Sequence, residues 1–141
     1  MDIALIGLGR MGGNMVTRLT RGGHRVVAHD RAGDVVRRLA ETTGAVGAAS
    51  LAEVAAALAP PRHVWLMLPA GEPTEATIRA LTGVLARGDV LIDGGNSRYK
   101  DDVRRAAELT ARGLHYVDVG VSGGIWGLEY GYCMMVGGDR A

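Results

Sequence analysis

Short runs of aliphatic and β-branched residues alternate along this chain with longer stretches in which apolar positions recur every three or four residues. The first pattern suits a strand buried on both faces, and the second suits an amphipathic helix. The apolar runs are Ile3 to Leu8, Arg25 to Asp30, a weak one around Ala45-Val46, His63 to Leu68, Val90 to Asp93 and Leu114 to Val121, with a seventh near Tyr132 to Val136. Between them Met11, Met15, Val16 and Leu19 keep helical spacing, as do Leu51, Val54 and Leu58, and Ile78, Leu81 and Leu85. Repeated βα units predict an α/β fold: a Rossmann-type, doubly wound, mostly parallel sheet with helices on both faces. Gly22-Gly23, Gly88 and Gly113 follow helical stretches, where a left-handed C-cap favours glycine. No repeat or linker divides the 141 residues, so one domain over 1–141 is expected.

Composition excludes several classes. With 48% hydrophobic and 22% charged residues the chain reads as globular rather than disordered or collagenous. At this length roughly 70% of the unfolded surface can be buried, enough for a core without disulfide or metal staples. The single cysteine, Cys133, has no internal partner and is expected to be a small buried residue in a reducing compartment. No apolar run approaches the ~20 residues of a membrane span, and Met1-Asp2 is not the basic start of a signal peptide, so a cytoplasmic location without a membrane partner is expected. A net charge of +1 from scattered residues leaves no footprint for nucleic acid. The histidines His24, His29, His63 and His115 are scattered, with no metal-ligand spacing, so no metal is expected.

The most specific signal is Gly7-Leu8-Gly9-Arg10-Met11-Gly12, a G-x-G-x-x-G placed between an apolar strand and an amphipathic helix. In that context the first glycine permits a tight turn, the second lets backbone approach a pyrophosphate, and the third lets helix and strand pack closely. The helix start adds unpaired N–H groups and the positive end of a dipole. Asp30 closes the second strand 18 residues after Gly12, where a carboxylate accepts hydrogen bonds from an adenosine ribose. That favours NAD, because a carboxylate repels a 2′-phosphate. Arg31 argues the other way, since a guanidinium can hold that phosphate, and NADP stays open. An S-adenosylmethionine methyltransferase shares part of this pattern but usually carries an acidic residue just before the glycines, where this chain has Ala4-Leu5-Ile6. No P-loop motif occurs.

Ligands of open α/β sheets gather outside the carboxyl ends of the strands. The fourth predicted strand ends in Pro69-Ala70-Gly71, the fifth in Asp93-Gly94-Gly95-Asn96-Ser97, and the sixth in Val121-Ser122-Gly123-Gly124. Glycines there permit close approach of backbone, while Asn96 and Ser122 offer polar groups to a hydroxyl or carboxylate. Asn96 and Ser97 also suit a helix N-cap, and Ser122-Gly123-Gly124 a plain turn.

Three segments together carry a resemblance: Gly7 to Asn14, Asp93 to Ser97, and Val-Ser-Gly-Gly-x-x-Gly-x-x-Tyr-Gly from Val121 to Gly131. The chain resembles the β-hydroxyacid dehydrogenases and, within them, the decarboxylating 6-phosphogluconate dehydrogenase family in its shorter bacterial form. Tyr99 and Asp101 after the Gly-Asn-Ser turn, and the Tyr-Gly pair after Ser-Gly-Gly, separate this branch from the hydroxyisobutyrate and tartronate semialdehyde branches. The resemblance implies that Gly7, Leu8, Gly9, Arg10, Met11 and Gly12 hold the pyrophosphate and that Asp30 and Arg31 hold the adenosine ribose. It further implies that Leu68, Pro69 and Ala70 line the cofactor, that Asn96 touches nicotinamide and substrate, and that Ser122, Gly123 and Gly124 bind the sugar acid. NADP-using members carry Asn-Arg-Thr after the second strand, where this chain has Asp30-Arg31-Ala32.

The activity implied is oxidation of 6-phosphogluconate at its C3 hydroxyl, with NAD(P) reduced and carbon dioxide lost to give ribulose 5-phosphate. The family's catalytic lysine, His-Asn pair and glutamate belong to a helical substrate and dimer domain that these 141 residues do not include. No catalytic residue is therefore expected in this chain. Lys100, the only lysine, falls in the first turn of a helix and is expected to be solvated. Asp118 and Glu129 lie near the substrate loop, but no desolvating or charged neighbour of either is evident in the sequence. The expected role is the dinucleotide-binding half of the enzyme, completed by a helical C-terminal half or a homodimer partner. A non-catalytic dinucleotide-binding module, a split enzyme and another β-hydroxyacid dehydrogenase branch stay open.

Overall fold

A computed structural model describes residues 1–138, so the end of the expected 1–141 domain lies outside the described residues. The elements run β1 (Asp2–Ile6), α1 (Arg10–Arg21), β2 (Arg25–His29), α2 (Gly33–Thr43), β3 (Val46–Gly47), α3 (Leu51–Ala56) and β4 (His63–Leu66). They continue through α4 (Glu72–Leu81), β5 (Val90–Asp93), α5 (Tyr99–Thr110), β6 (His115–Ser122), a 3-10 turn (Gly124–Trp126), α6 (Gly127–Tyr130) and β7 (Cys133–Gly138). One seven-stranded sheet has the order β3-β2-β1-β4-β5-β6-β7. The first six strands pair in parallel. β7 pairs antiparallel with β6, from Ser122 opposite Cys133 to Val117 opposite Gly138.

β1 shows why the sheet is wound on both sides. Its alternate residues Ala4 and Ile6 join a core shared with α3, α4 and α5, through Val54, Ile78, Leu81 and Leu109. Ile3 and Leu5 face the other way, into a core with Met15 and Val16 of α1 and Val36 of α2. A strand covered on both faces must be apolar at every position, which is what the sequence run displays. Burial of Met15 and Val16, worth about 1.5–3 kcal/mol each, fixes α1 against the sheet and therefore fixes where its N-terminus points. From β1 the chain builds β2 and β3 on one side and then crosses to β4 on the other, leaving a crevice at the reversal point.

Three strands end earlier than their apolar runs suggest, at Ile6, His29 and Leu66. Gly7, at φ +93°, turns the chain out of the β1 ladder, and the residues that follow become crevice loops. Cys133 corrects its expectation: it is exposed, because β7 forms the sheet edge and every one of its residues is exposed. Gly23, Gly88 and Gly113 do take positive φ after their helical stretches. Among the described residues no helix is long and apolar enough to cross a membrane.

Candidate functional site

The glycine loop joins β1 to α1, and each of its glycines answers to a different neighbour. A Cβ on Gly12 would lie 1.9 Å from the carbonyl oxygen of Gly7, and one on Gly7 would lie 2.4 Å from the carbonyl oxygen of Met67. Both positions are closed by the protein's own backbone. Gly9 is different: its φ is −60°, acceptable to any residue, and a Cβ there would meet nothing within 4 Å. Nothing inside the chain requires glycine at this position, so the bare backbone faces open space at the start of α1. No side chain caps that helix and its first turn holds no acidic residue. The first N–H groups of α1 thus remain available to an anion.

Asp30 follows β2 and is tied to this loop. One carboxylate oxygen accepts from the Leu8 N–H at 2.8 Å and the other from the Ala32 N–H at 2.9 Å. The Leu8 amide is therefore committed to Asp30, and its side chain is buried. Two backbone donors fix the carboxylate in place, while each oxygen keeps a second lone pair for a hydroxyl. Arg31 stands beside it in the crevice wall. His29 is satisfied by the Ala48 carbonyl, 2.9 Å from its Nδ1.

On the other side of β1 the turn after β5 carries Asn96. Gly94 and Gly95, which line the crevice, are needed here by the protein's own packing. Their Cβ atoms would lie 2.1 Å from Trp65 Nε1 and 2.7 Å from the Leu68 carbonyl oxygen. Asn96 itself is exposed to the crevice. Ser97 is not a helix cap, because Arg98 holds the N-cap position of α5 and the Ser97 hydroxyl donates to Asp93 at 2.6 Å.

Beneath the turn lies an ionic cluster that the sequence did not disclose. Asp93, Asp102 and Arg105 are buried, and Arg105 Nη1 reaches Asp93 at 2.9 Å and Asp102 at 3.1 Å. Glu75 of α4 approaches the same guanidinium at 2.8 Å. Burial would raise the Glu75 pKa, but hydrogen bonds and charge from Arg105 and Arg104 hold it below the usual range. The Tyr116 hydroxyl donates to Asp102 at 2.7 Å, and burial pushes its pKa upward, so it stays a neutral donor. Asp118 corrects another expectation: burial, with the nearby charges of Asp102 and Asp93, raises its pKa. No metal-binding group of His, Cys, Asp and Glu occurs among the described residues. Lys100 is exposed at the start of α5.

These elements border one crevice of about 1210 Å³ along the carboxyl ends of the strands. The structure brings together Gly7, Gly9, Arg10, Met11, Gly12, Asp30, Arg31, Leu68, Pro69, Asn96 and Ser122 in its lining. Leu8, Ala70, Gly123 and Gly124 stand outside that lining. Gly123 and Gly124 instead open the 3-10 turn, with the Gly123 carbonyl accepting from Trp126 and Gly127 N–H. Sequence reasoning missed Leu51, Pro73, Thr77 and Met135 in the walls. Met135 arrives there because β7 pairs antiparallel, opposite Gly120, and nothing in the local pattern announces that direction.

Residues 2–141 match the family described as the NAD binding domain of 6-phosphogluconate dehydrogenase. The chain belongs to that family. A Haloferax volcanii protein described as an NAD(+)-dependent, decarboxylating 6-phosphogluconate dehydrogenase is 43% identical over 140 residues, which cover 99% of this chain and 46% of that protein. The human 6-phosphogluconate dehydrogenase, decarboxylating, is 41% identical over 99% of this chain and 30% of its own length. The chain thus spans less than half of each of these relatives. Among solved structures, 6-phosphogluconate dehydrogenase of Plasmodium falciparum, studied apo, with NADP+ and with 6-phosphogluconate, superposes with a TM-score of 0.92 at 30% identity, covering 99% of this chain and 31% of that one. The 3-hydroxyisobutyrate dehydrogenase of Mycobacterium tuberculosis superposes with a TM-score of 0.85 at 29% identity, covering 99% of this chain and 47% of that one. As an NAD-binding domain of the 6-phosphogluconate dehydrogenase family, the chain carries in its G-x-G-x-x-G motif a middle glycine, Gly9, that its own packing does not require.

Proposed function

We infer that the chain is the dinucleotide-binding half of a decarboxylating 6-phosphogluconate dehydrogenase working in the cytoplasm, and that it prefers NAD. The observation that carries this reading is the open space at Gly9 beside the uncapped start of α1, with Asp30 held in place on one side and Asn96 exposed on the other. A pyrophosphate seated on the first N–H groups of α1 puts the adenosine ribose over β2, within reach of Asp30. The nicotinamide arm then runs the opposite way, past Leu68 and Pro69 at the end of β4 towards Asn96 after β5. Asp30 prefers a ribose diol to a 2′-phosphate, since both its oxygens are acceptors. Arg31 can screen part of that repulsion and narrows the preference without reversing it.

When bound, NAD(P) supplies the hydride acceptor. This chain's residues bind and orient: Asn96 and Ser122 offer polar groups at the crevice end where the sugar acid would sit. Gly123 and Gly124 would contribute only after the 3-10 turn shifts towards that end. The general base and acid come from a helical C-terminal half, supplied in the same polypeptide or by a partner. Its seat is the β7 end of the sheet, where Ile125, Trp126, Tyr130, Met134, Met135 and Val136 are exposed. An apolar patch of that kind beside a binding crevice marks an interaction surface.

Calorimetric titration of the 141-residue chain with NAD and with NADP tests this. Binding of both, tighter for NAD, with no turnover of 6-phosphogluconate by the chain alone, is the expected result. Absence of binding by either dinucleotide overturns the reading.

A further inference from the structure

The buried cluster under the Asn96 turn has a geometry that general stabilisation does not require. Its carboxylate at the end of β5 grips the turn on both sides of Asn96. Asp93 Oδ1 accepts from the Gly95 N–H at 2.9 Å, and Asp93 Oδ2 accepts from the Ser97 hydroxyl at 2.6 Å. Arg105 reaches the same Oδ2 at 2.9 Å and the Ser97 oxygen at 3.0 Å. Its side chain is 1% exposed and is held in turn by Asp102 at 3.1 Å and by Glu75 at 2.8 Å. Tyr116 of β6 donates to Asp102 and, at 3.3 Å, to Asp93. Contacts from α5 and β6 therefore converge on one carboxylate, with Glu75 of α4 holding the arginine from behind, and that carboxylate holds the neighbours of the single turn residue that presents an amide to the crevice. Gly94 and Gly95 press the same turn onto Trp65 and Leu68, so it has no slack on its other side.

We propose that Arg105, acting through Asp93 and Ser97, is a positioning residue for Asn96: it fixes the 93–97 turn so that the Asn96 amide meets the nicotinamide end of the dinucleotide. This rests on the reading above that the crevice takes NAD(P) with its adenosine at Asp30. A side chain whose neighbours are fixed by buried charge-assisted hydrogen bonds loses little freedom on binding, and that pre-organisation appears as affinity. Arg105 touches no ligand.

Titration with two ligands tests it: NAD, and ADP-ribose, which has the same adenosine, pyrophosphate and second ribose but no nicotinamide. Ser97→Ala removes one grip and leaves the ion pair intact. Arg105→Lys keeps the charge and loses the fork. Each is expected to weaken NAD about fivefold, the worth of roughly one hydrogen bond, and to leave ADP-ribose unchanged. In an Asn96→Ala background, Ser97→Ala should add nothing, because its effect travels through Asn96. Should Arg105→Lys fail to fold, Ser97→Ala with its double-mutant cycle decides alone. Equal weakening of both ligands, an unchanged NAD affinity, or full additivity with Asn96→Ala overturns the proposal. Equal affinity of the unaltered chain for NAD and ADP-ribose overturns it while leaving dinucleotide binding intact, whereas binding of neither ligand sinks the underlying reading itself.

Discussion

Gly9 and Gly12 sit three positions apart in one motif, yet alanine at each should have opposite consequences. At Gly12 the new methyl carbon would lie 1.9 Å from the Gly7 carbonyl oxygen, a backbone atom that cannot rotate away. Relief requires α1 to lift from β1, and overpacking of this kind costs about 1–3 kcal/mol, here at the upper end because both partners are main chain. At roughly 3–5 °C per kcal/mol for a domain of this size, Gly12→Ala should lower Tm by about 10 °C. At Gly9 the methyl enters empty space at an ordinary φ of −60°. Reduced freedom of the unfolded chain, about 0.4–1 kcal/mol in favour, offsets the poorer N-cap propensity of alanine. Tm should therefore stay within a few degrees. Binding should fall, because the methyl holds a phosphate away from the N–H groups of α1. Each charge-assisted hydrogen bond lost is worth about 1.5–3 kcal/mol, or roughly 10- to 150-fold in Kd. Thermal melts by circular dichroism, with calorimetric titration of NAD, read both quantities. A Gly9→Ala variant that binds NAD like the unaltered chain would refute the placement of the pyrophosphate.

Asp30→Asn replaces one of two acceptor oxygens by a donor, so the ratio of NADP to NAD affinity should rise while the loop loosens at Leu8 or Ala32; an unchanged ratio in paired titrations would assign selectivity to Arg31. The raised pKa of Asp118 means that the folded state binds its proton more tightly than the unfolded state, so its ionisation weakens the fold once pH passes the ordinary carboxylate range. Asp118→Asn should consequently raise Tm at pH 7 and lose that advantage in acid; a lower Tm at pH 7 would contradict it. Asp89 behaves in the opposite sense. Burial alone would raise its pKa, but the Arg62 and Ala86 N–H groups and the Arg62 guanidinium outweigh this and lower it. The stability it contributes is present above its unfolded pKa and is lost as pH falls through the lowered one. Asp89→Asn should flatten the acid limb of a pH–Tm curve; an acid limb parallel to that of the unaltered chain would refute this.

The glycine motif was legible because its meaning is local: strand, turn and helix start follow one another within the first 21 residues, and Gly12 packs on Gly7. Asp30 was legible for the same reason, since its place at the end of β2 follows from counting one βα unit. Arg105 was not. Its partners Glu75 and Asp93 lie 30 and 12 residues earlier, on other elements, and no spacing rule links an arginine inside an amphipathic helix to a carboxylate at a distant strand end. Cys133 and Met135 were misjudged or missed because strand periodicity reveals neither direction nor position in the sheet. The glycines after β5 have a packing role that spacing alone does not reveal. Close approach is indeed what they allow, but the approaching atoms are those of Trp65 and Leu68.

β7 also governs how these residues behave in a test tube. Among the described residues no strand pairs with its outer side, and Cys133 to Gly138 contain no charge and no proline to discourage a visitor. A second β7 can dock there and extend the sheet, with Met134 and Val136 adding apolar surface to the encounter. Light scattering should accordingly grow with protein concentration on warming, and apparent melting temperatures should depend on scan rate, because association captures opened molecules before they refold. Lysine at Val136 is the simplest gatekeeper, and it leaves the crevice untouched.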